Sequence, residues 1–132
     1  MHPTFILSII VAGVAVCSEI ARRWRLAPMF NRPRAGRDWR RAFPGAANGE
    51  IREFLRIFVD AFAISGKRLL AFRPDDRIMD VYHAMYALKG EPDSMELEIF
   101  AQLIEKRYGG SILSHWRDDL TLGEVFSRTG SG

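Results

Sequence analysis

The sequence predicts an all-α chain, a hydrophobic N-terminal helix followed by a small helical bundle, and three observations carry that expectation. From Phe5 to Cys17 the residues are nearly all apolar. Two later segments repeat apolar side chains at helical spacing: Ile51, Phe54, Leu55, Phe58 and Phe62, then Leu97, Phe100, Ala101, Ile104 and Tyr108. Finally, Thr121 with Glu124 three residues on forms a helix-start signature ahead of Val125 and Phe126.

Composition sets the scale. A chain of 132 residues holds one small domain and an appendage, and a helical domain of roughly 75 residues buries a modest core without staples. Cys17 is the only cysteine, so an internal disulfide and a multi-cysteine zinc site are excluded, and His2, His83 and His115 lack ligand spacing beside it. The net charge of +3 conceals an asymmetry: residues 1–73 carry thirteen Lys or Arg against five Asp or Glu, and residues 74–126 carry five against eleven. A basic front half is joined to an acidic back half.

In chain order, the apolar run over residues 5–21 reads as a membrane anchor within an N-terminal segment 1–25. Seventeen helical residues cover about 25 Å, the short end of a bilayer-spanning length. Arg22, Arg23 and Arg25 follow at once with Trp24 among them, which puts the N-terminus outside and the remainder in the cytoplasm, a single-pass topology. Three rivals stand beside it: a cleaved signal peptide, weakened by the lack of an n-region charge; a lipoprotein box at Val14-Ala15-Val16-Cys17, weakened by the bulk of Val16; and a buried helix of a soluble fold. Residues 26–49 read as a linker, since Pro28, Pro33, Pro44, Gly36, Gly45 and Gly49 interrupt any period. Arg32, Arg34, Arg37, Arg40 and Arg41 would draw it to an anionic membrane surface at about 1 kcal/mol each. A nucleic-acid partner ranks lower, because no recognised binding module accompanies the arginines.

The bundle then occupies residues 50–127. Its first helix should stop near Ser65-Gly66, and residues 67–90 should be partly helical, with Asp75-Asp76 as a start signal and an apolar cluster at Ile78, Met79, Val81, Tyr82, Met85 and Tyr86. The next helix should begin at Asp93 or Ser94 and end at Gly109-Gly110. A short helix or turn should surround His115 and Trp116, Asp118-Asp119 should be a solvated turn, and Thr121 should open the last helix before a frayed tail over residues 128–132.

Asp93-Ser94-Met95 is the segment that carries chemistry. It follows a turn-forming Lys89-Gly90-Glu91-Pro92 and precedes an acidic helix start; Tyr108 lies fourteen residues after the serine, Gly109-Gly110 next, Ile112 eighteen after, and Thr121-Leu122-Gly123-Glu124-Val125-Phe126 downstream. In order and spacing, residues 50–127 resemble the acyl carrier protein family. That resemblance implies an acyl-carrier-like bundle in which Ser94 carries a covalent 4'-phosphopantetheine, with Asp93, Met95, Glu96 and Glu98 as the docking surface for partner enzymes. Such a carrier is not itself an enzyme. A phosphopantetheinyl transferase would load it, and acyltransferases or synthases of lipid or secondary-metabolite synthesis would use the thioester. Helix-start N–H groups and the positive end of the helix dipole suit the phosphodiester.

The family pattern is altered here. One residue is inserted on either side of Gly90, Met95 stands where leucine is usual, and Glu98 and Ile99 exchange the usual apolar and acidic positions, which implies a helix that is slightly rotated or packs differently. The residues also allow a plainer reading, since Asp93 with Glu96 is itself a capping box. An unmodified, carrier-like, membrane-associated adaptor is the corresponding alternative.

Overall fold

A computed structural model describes residues 28–86 and 95–130, and the fold is given for those. The bounded helices among the described residues are α1 (Gly36–Ala42), α2 (Asn48–Ala61), α3 (Ile78–Tyr86), α4 (Met95–Tyr108) and α5 (Leu122–Arg128), with 3-10 turns at Gly66–Ala71 and Leu113–His115; residues 28–30 are helical as well. No strand forms among the described residues, only an isolated bridge between Arg77 and Thr121. The all-α expectation holds at this level. The run proposed as an anchor, residues 5–21, lies outside the described residues; among those described, no helix is long and apolar enough to cross a membrane.

Helix α2 is the spine. Its stripe of Ile51, Phe54, Leu55 and Phe58 is buried, continued by Phe62 at the C-cap, as the period predicts. Phe100 of α4 meets three of these rings, Phe54 at 6.3 Å, Phe58 at 5.5 Å and Phe62 at 6.3 Å. Phe126 of α5 lies 5.3 Å from Phe54, and Phe72 is 5.2 Å from Phe58 in an edge-on pair. Each such pair adds about 0.5–1.5 kcal/mol beyond its area burial, so the aromatic chain sets which helices meet as well as how much surface they bury.

The helix ends differ instructively from the expectation. α2 stops at Ala61, ahead of Ser65-Gly66. Ala63 adopts φ 54°, and its N–H bonds to the Asp60 carbonyl at 3.2 Å, while that of Ile64 bonds to Val59 at 2.8 Å. This is the paired bonding of a Schellman stop, with Ile64 and Val59 as its buried apolar contact. An alanine occupies the place glycine usually takes, so no glycine signal marks the stop. At the end of α4, by contrast, Gly109 and Gly110 take φ 80° and 78°, and the expected glycine stop is there.

The starts of α3 and α5 are tied to each other. The N–H of Ile78 donates to Leu120 and that of Leu122 to Asp76, both at 3.0 Å, flanking the Arg77–Thr121 bridge. The N–H of Gly123 donates to the Pro74 carbonyl at 2.7 Å. At α5, Thr121 Oγ1 accepts from the Glu124 N–H at 3.1 Å, and Leu122, Val125 and Phe126 are buried, as expected. The helix runs through Arg128, and the Thr129 hydroxyl donates to the Phe126 carbonyl at 2.7 Å, so order extends past the anticipated start of the tail.

The greatest departure concerns residues 26–49. The described part of this stretch is built into the bundle. Ala35 and Trp39 are fully buried, and Trp39 stacks on Phe43 at 5.9 Å, meets Phe126 edge-on at 5.7 Å and donates its indole N–H to the Phe72 carbonyl at 2.9 Å. Arg32 is equally committed. Its guanidinium grips both carboxylate oxygens of Asp76, at 2.9 and 2.8 Å, and also donates to the carbonyls of Ala71 and Met29. The hydrogen bond to Asp76 is the main reason its pKa lies above the ordinary arginine value, with burial opposing. Asp76 also accepts the Arg73 N–H at 2.7 Å. The carboxylate therefore closes a loop and holds the N-terminal segment, where a helix-start role was expected of it.

Candidate functional site

The motif that carries the expected chemistry straddles the edge of the described region. Asp93 and Ser94 lie outside it, and Met95 is the first residue of α4 that is described. Phe100, Ala101 and Ile104 turn inward, and Leu97, Leu103 and Tyr108 flank them half-buried. The opposite side at the start of the helix is left to solvent: Met95 is 57% exposed and Ile99 38%, with Glu98 exposed beside them and Glu96 half-buried. The exchange of Glu98 and Ile99 therefore leaves the buried stripe where the periodicity put it, with both exchanged residues outside it.

α4 is fastened in two places. Phe100 inserts among the α2 rings little more than one turn into the helix. At the far end Arg107 bonds both oxygens of Glu53 on α2, at 2.7 and 3.2 Å. That hydrogen bond, against a smaller effect of desolvation, holds the Glu53 carboxyl below the usual glutamate range and the Arg107 guanidinium above its own. Burial raises the Tyr108 phenol above its ordinary value. The charge order along the helix, Glu96 and Glu98 in the first turn and Lys106 and Arg107 in the last, complements the helix dipole at both ends. The described start of α4, which follows Ser94 in the sequence, is thus acidic and partly apolar.

Other residues singled out in the sequence take plain positions. His83 and His115 are exposed. Asp118 and Asp119 form an exposed turn, where Asp119 pairs with Arg117 at 3.1 Å; Arg117 also bonds Glu124. Cys17 and His2 lie outside the described residues. Among the described residues no group of three or more His, Cys, Asp or Glu is placed to hold a metal ion.

One cluster was not anticipated as a site. Arg34, Arg37 and Arg40 on and beside α1 and Arg52 on α2 line a cleft of about 300 Å³. The signal for it was visible: Ala35, Trp39 and Phe43 recur every four residues, a helical period that fixes α1 against the core and so turns the interleaved arginines outward. A comparison with protein-family models, curated proteins and solved structures finds no match to the chain.

Proposed function

We propose that the chain is a membrane-tethered acyl carrier, holding acyl groups as thioesters on a phosphopantetheine arm at Ser94. The observation that carries the reading is the start of α4, which follows Asp93-Ser94 in the sequence: its described first turn is acidic, Met95 and Glu98 are exposed there, and its body is pinned to α2 by Phe100. A carrier serine needs no activating base of its own; it needs a rigid platform, access for a transferase and a surface for basic partners. Met95, Glu96 and Glu98 supply such a surface beside it. The glycine stop after Tyr108 and the Thr121-capped last helix support the same reading.

The tether is the apolar run over residues 5–21, inserted with its N-terminus out so that the bundle meets cytoplasmic coenzyme A. Anchoring raises the effective concentration of the arm near membrane-bound acyl-handling enzymes. Of the arginines first assigned to the anionic membrane surface, Arg32 is withdrawn by its bond to Asp76, while Arg34, Arg37, Arg40 and Arg41 are exposed.

The test is incubation of the full chain with coenzyme A, Mg²⁺ and a broad-specificity phosphopantetheinyl transferase, followed by intact mass, with Ser94→Ala alongside. The wild type should gain one phosphopantetheine and the variant none. A folded wild type that gains nothing while a known carrier is modified in parallel would refute the carrier reading and leave the unmodified adaptor.

A further inference from the structure

The four arginines of the α1–α2 cleft share one lining. Four other arginines among the described residues sit against carboxylates: Arg32 on Asp76, Arg73 near Asp38, Arg107 on Glu53, and Arg117 on Asp119 and Glu124. Arg34, Arg37, Arg40 and Arg52 make no such pair, and the lining of their cleft contains no acidic residue. Three carboxylates of the same two helices are directed elsewhere. Asp38 faces Arg73, Glu53 is held by Arg107, and Glu50 lines a separate cleft with Glu53 and Tyr108. Like charge is thus concentrated without internal compensation, an arrangement that repels itself until an anion enters.

The chemistry of the lining narrows the anion. A guanidinium presents a planar fork of donors suited to carboxylate or phosphate oxygens. Four forks bring about eight directed N–H groups, roughly twice what the lone pairs of one carboxylate accept. A diphosphate offers oxygens on two linked phosphorus atoms and a multiple negative charge, so it can engage guanidinium groups from both helices together. Trp39, Ile51 and Leu70 line the same cleft and leave the arginines as its charged groups. Asn48, the first residue of α2, also lines the cleft, and no side-chain cap bond is made at Ala47.

We propose that this cleft binds a ligand bearing a diphosphate group, held by Arg34, Arg37, Arg40 and Arg52. The proposal is independent of the carrier reading. Two sources share the chemistry, a soluble diphosphate such as a nucleoside diphosphate and a diphosphate-headed lipid at the membrane surface.

The test is calorimetric titration of the full chain with pyrophosphate and with orthophosphate. Two double variants of equal charge change accompany it, Arg37→Gln with Arg40→Gln in the cleft and Arg41→Gln with Arg56→Gln outside it. All four positions are exposed and unpaired with carboxylates, and thermal melting checks that each variant is folded. Pyrophosphate should bind the wild type saturably and about tenfold or more tighter than orthophosphate; the cleft double should weaken it by about tenfold or more, the control by less than about twofold. Displacement of bound pyrophosphate by ADP would identify a soluble source, and displacement by phosphatidylcholine nanodiscs doped with geranylgeranyl diphosphate, but not by undoped ones, a lipid source. No saturable pyrophosphate binding, or equal weakening in the two doubles, would overturn the proposal.

Discussion

Gly123 shows how much of the fold rests on single side chains that are absent. A β-carbon there would lie 2.8 Å from the Pro74 carbonyl oxygen, a backbone atom fixed by its bond to the Gly123 N–H. Gly123→Ala should therefore cost about 1–3 kcal/mol, as overpacking does, read as a lower urea midpoint with an unchanged slope. Ala63 poses the converse case. It holds φ 54° at the stop of α2, where glycine avoids the steric cost, so Ala63→Gly should stabilise the fold by about 0.5–1 kcal/mol in the same measurement. A lowered midpoint would contradict the Schellman assignment. These residues also show where sequence reading reaches its limit. The glycines at 109 and 110 announce their turn, whereas at 63 an alanine takes the left-handed conformation, so no glycine marks the stop. Asp76 is similar: its motif reads as a helix start, yet Arg32, forty-four residues away, takes both its oxygens.

Among the elements, α1 changes the account most. The apolar period of α2 and α4 was legible because each presents a continuous stripe, and the last helix because Thr121 and Glu124 mark its start. α1 is only seven residues long and lies among prolines, glycines and arginines, so composition suggested a linker. A single fully buried tryptophan outweighs that composition. Removing Trp39 alone removes contacts of a kind that cost about 3–5 kcal/mol to truncate, and small domains have about 5–15 kcal/mol in total. A chain cut before Glu50 loses Trp39, Phe43 and the Arg32–Asp76 clamp together. It should lack a cooperative thermal transition by circular dichroism, while residues 28–132 should retain one. Equal melting of the two chains would show that α1 is an accessory and that the boundary at residue 50 is a true domain edge.

At the scale of the whole molecule, the charge asymmetry counted in the sequence acquires a partial structural meaning. The basic half is divided: Arg32 ties the N-terminal segment into the bundle, and Arg34, Arg37, Arg40 and Arg52 line one uncompensated cleft. The acidic half places Glu96 and Glu98 at the start of α4, next to Ser94. The helical class was legible in apolar periodicity and capping residues. Of the cleft, the outward arginines of α1 were legible in the Ala35, Trp39 and Phe43 period, whereas the part of Arg52 was not, because only the docking of α1 against α2 brings it beside arginines that precede it by twelve or more residues. The central claim is that Ser94 bears a loaded phosphopantetheine arm, and its most direct measurement is the intact mass of the full chain isolated from its own cells, before and after hydroxylamine. The account predicts a chain heavier by one phosphopantetheine plus an acyl group, with hydroxylamine removing only the acyl part. A chain at its bare mass, recovered from cells in which other carriers are modified, would contradict it.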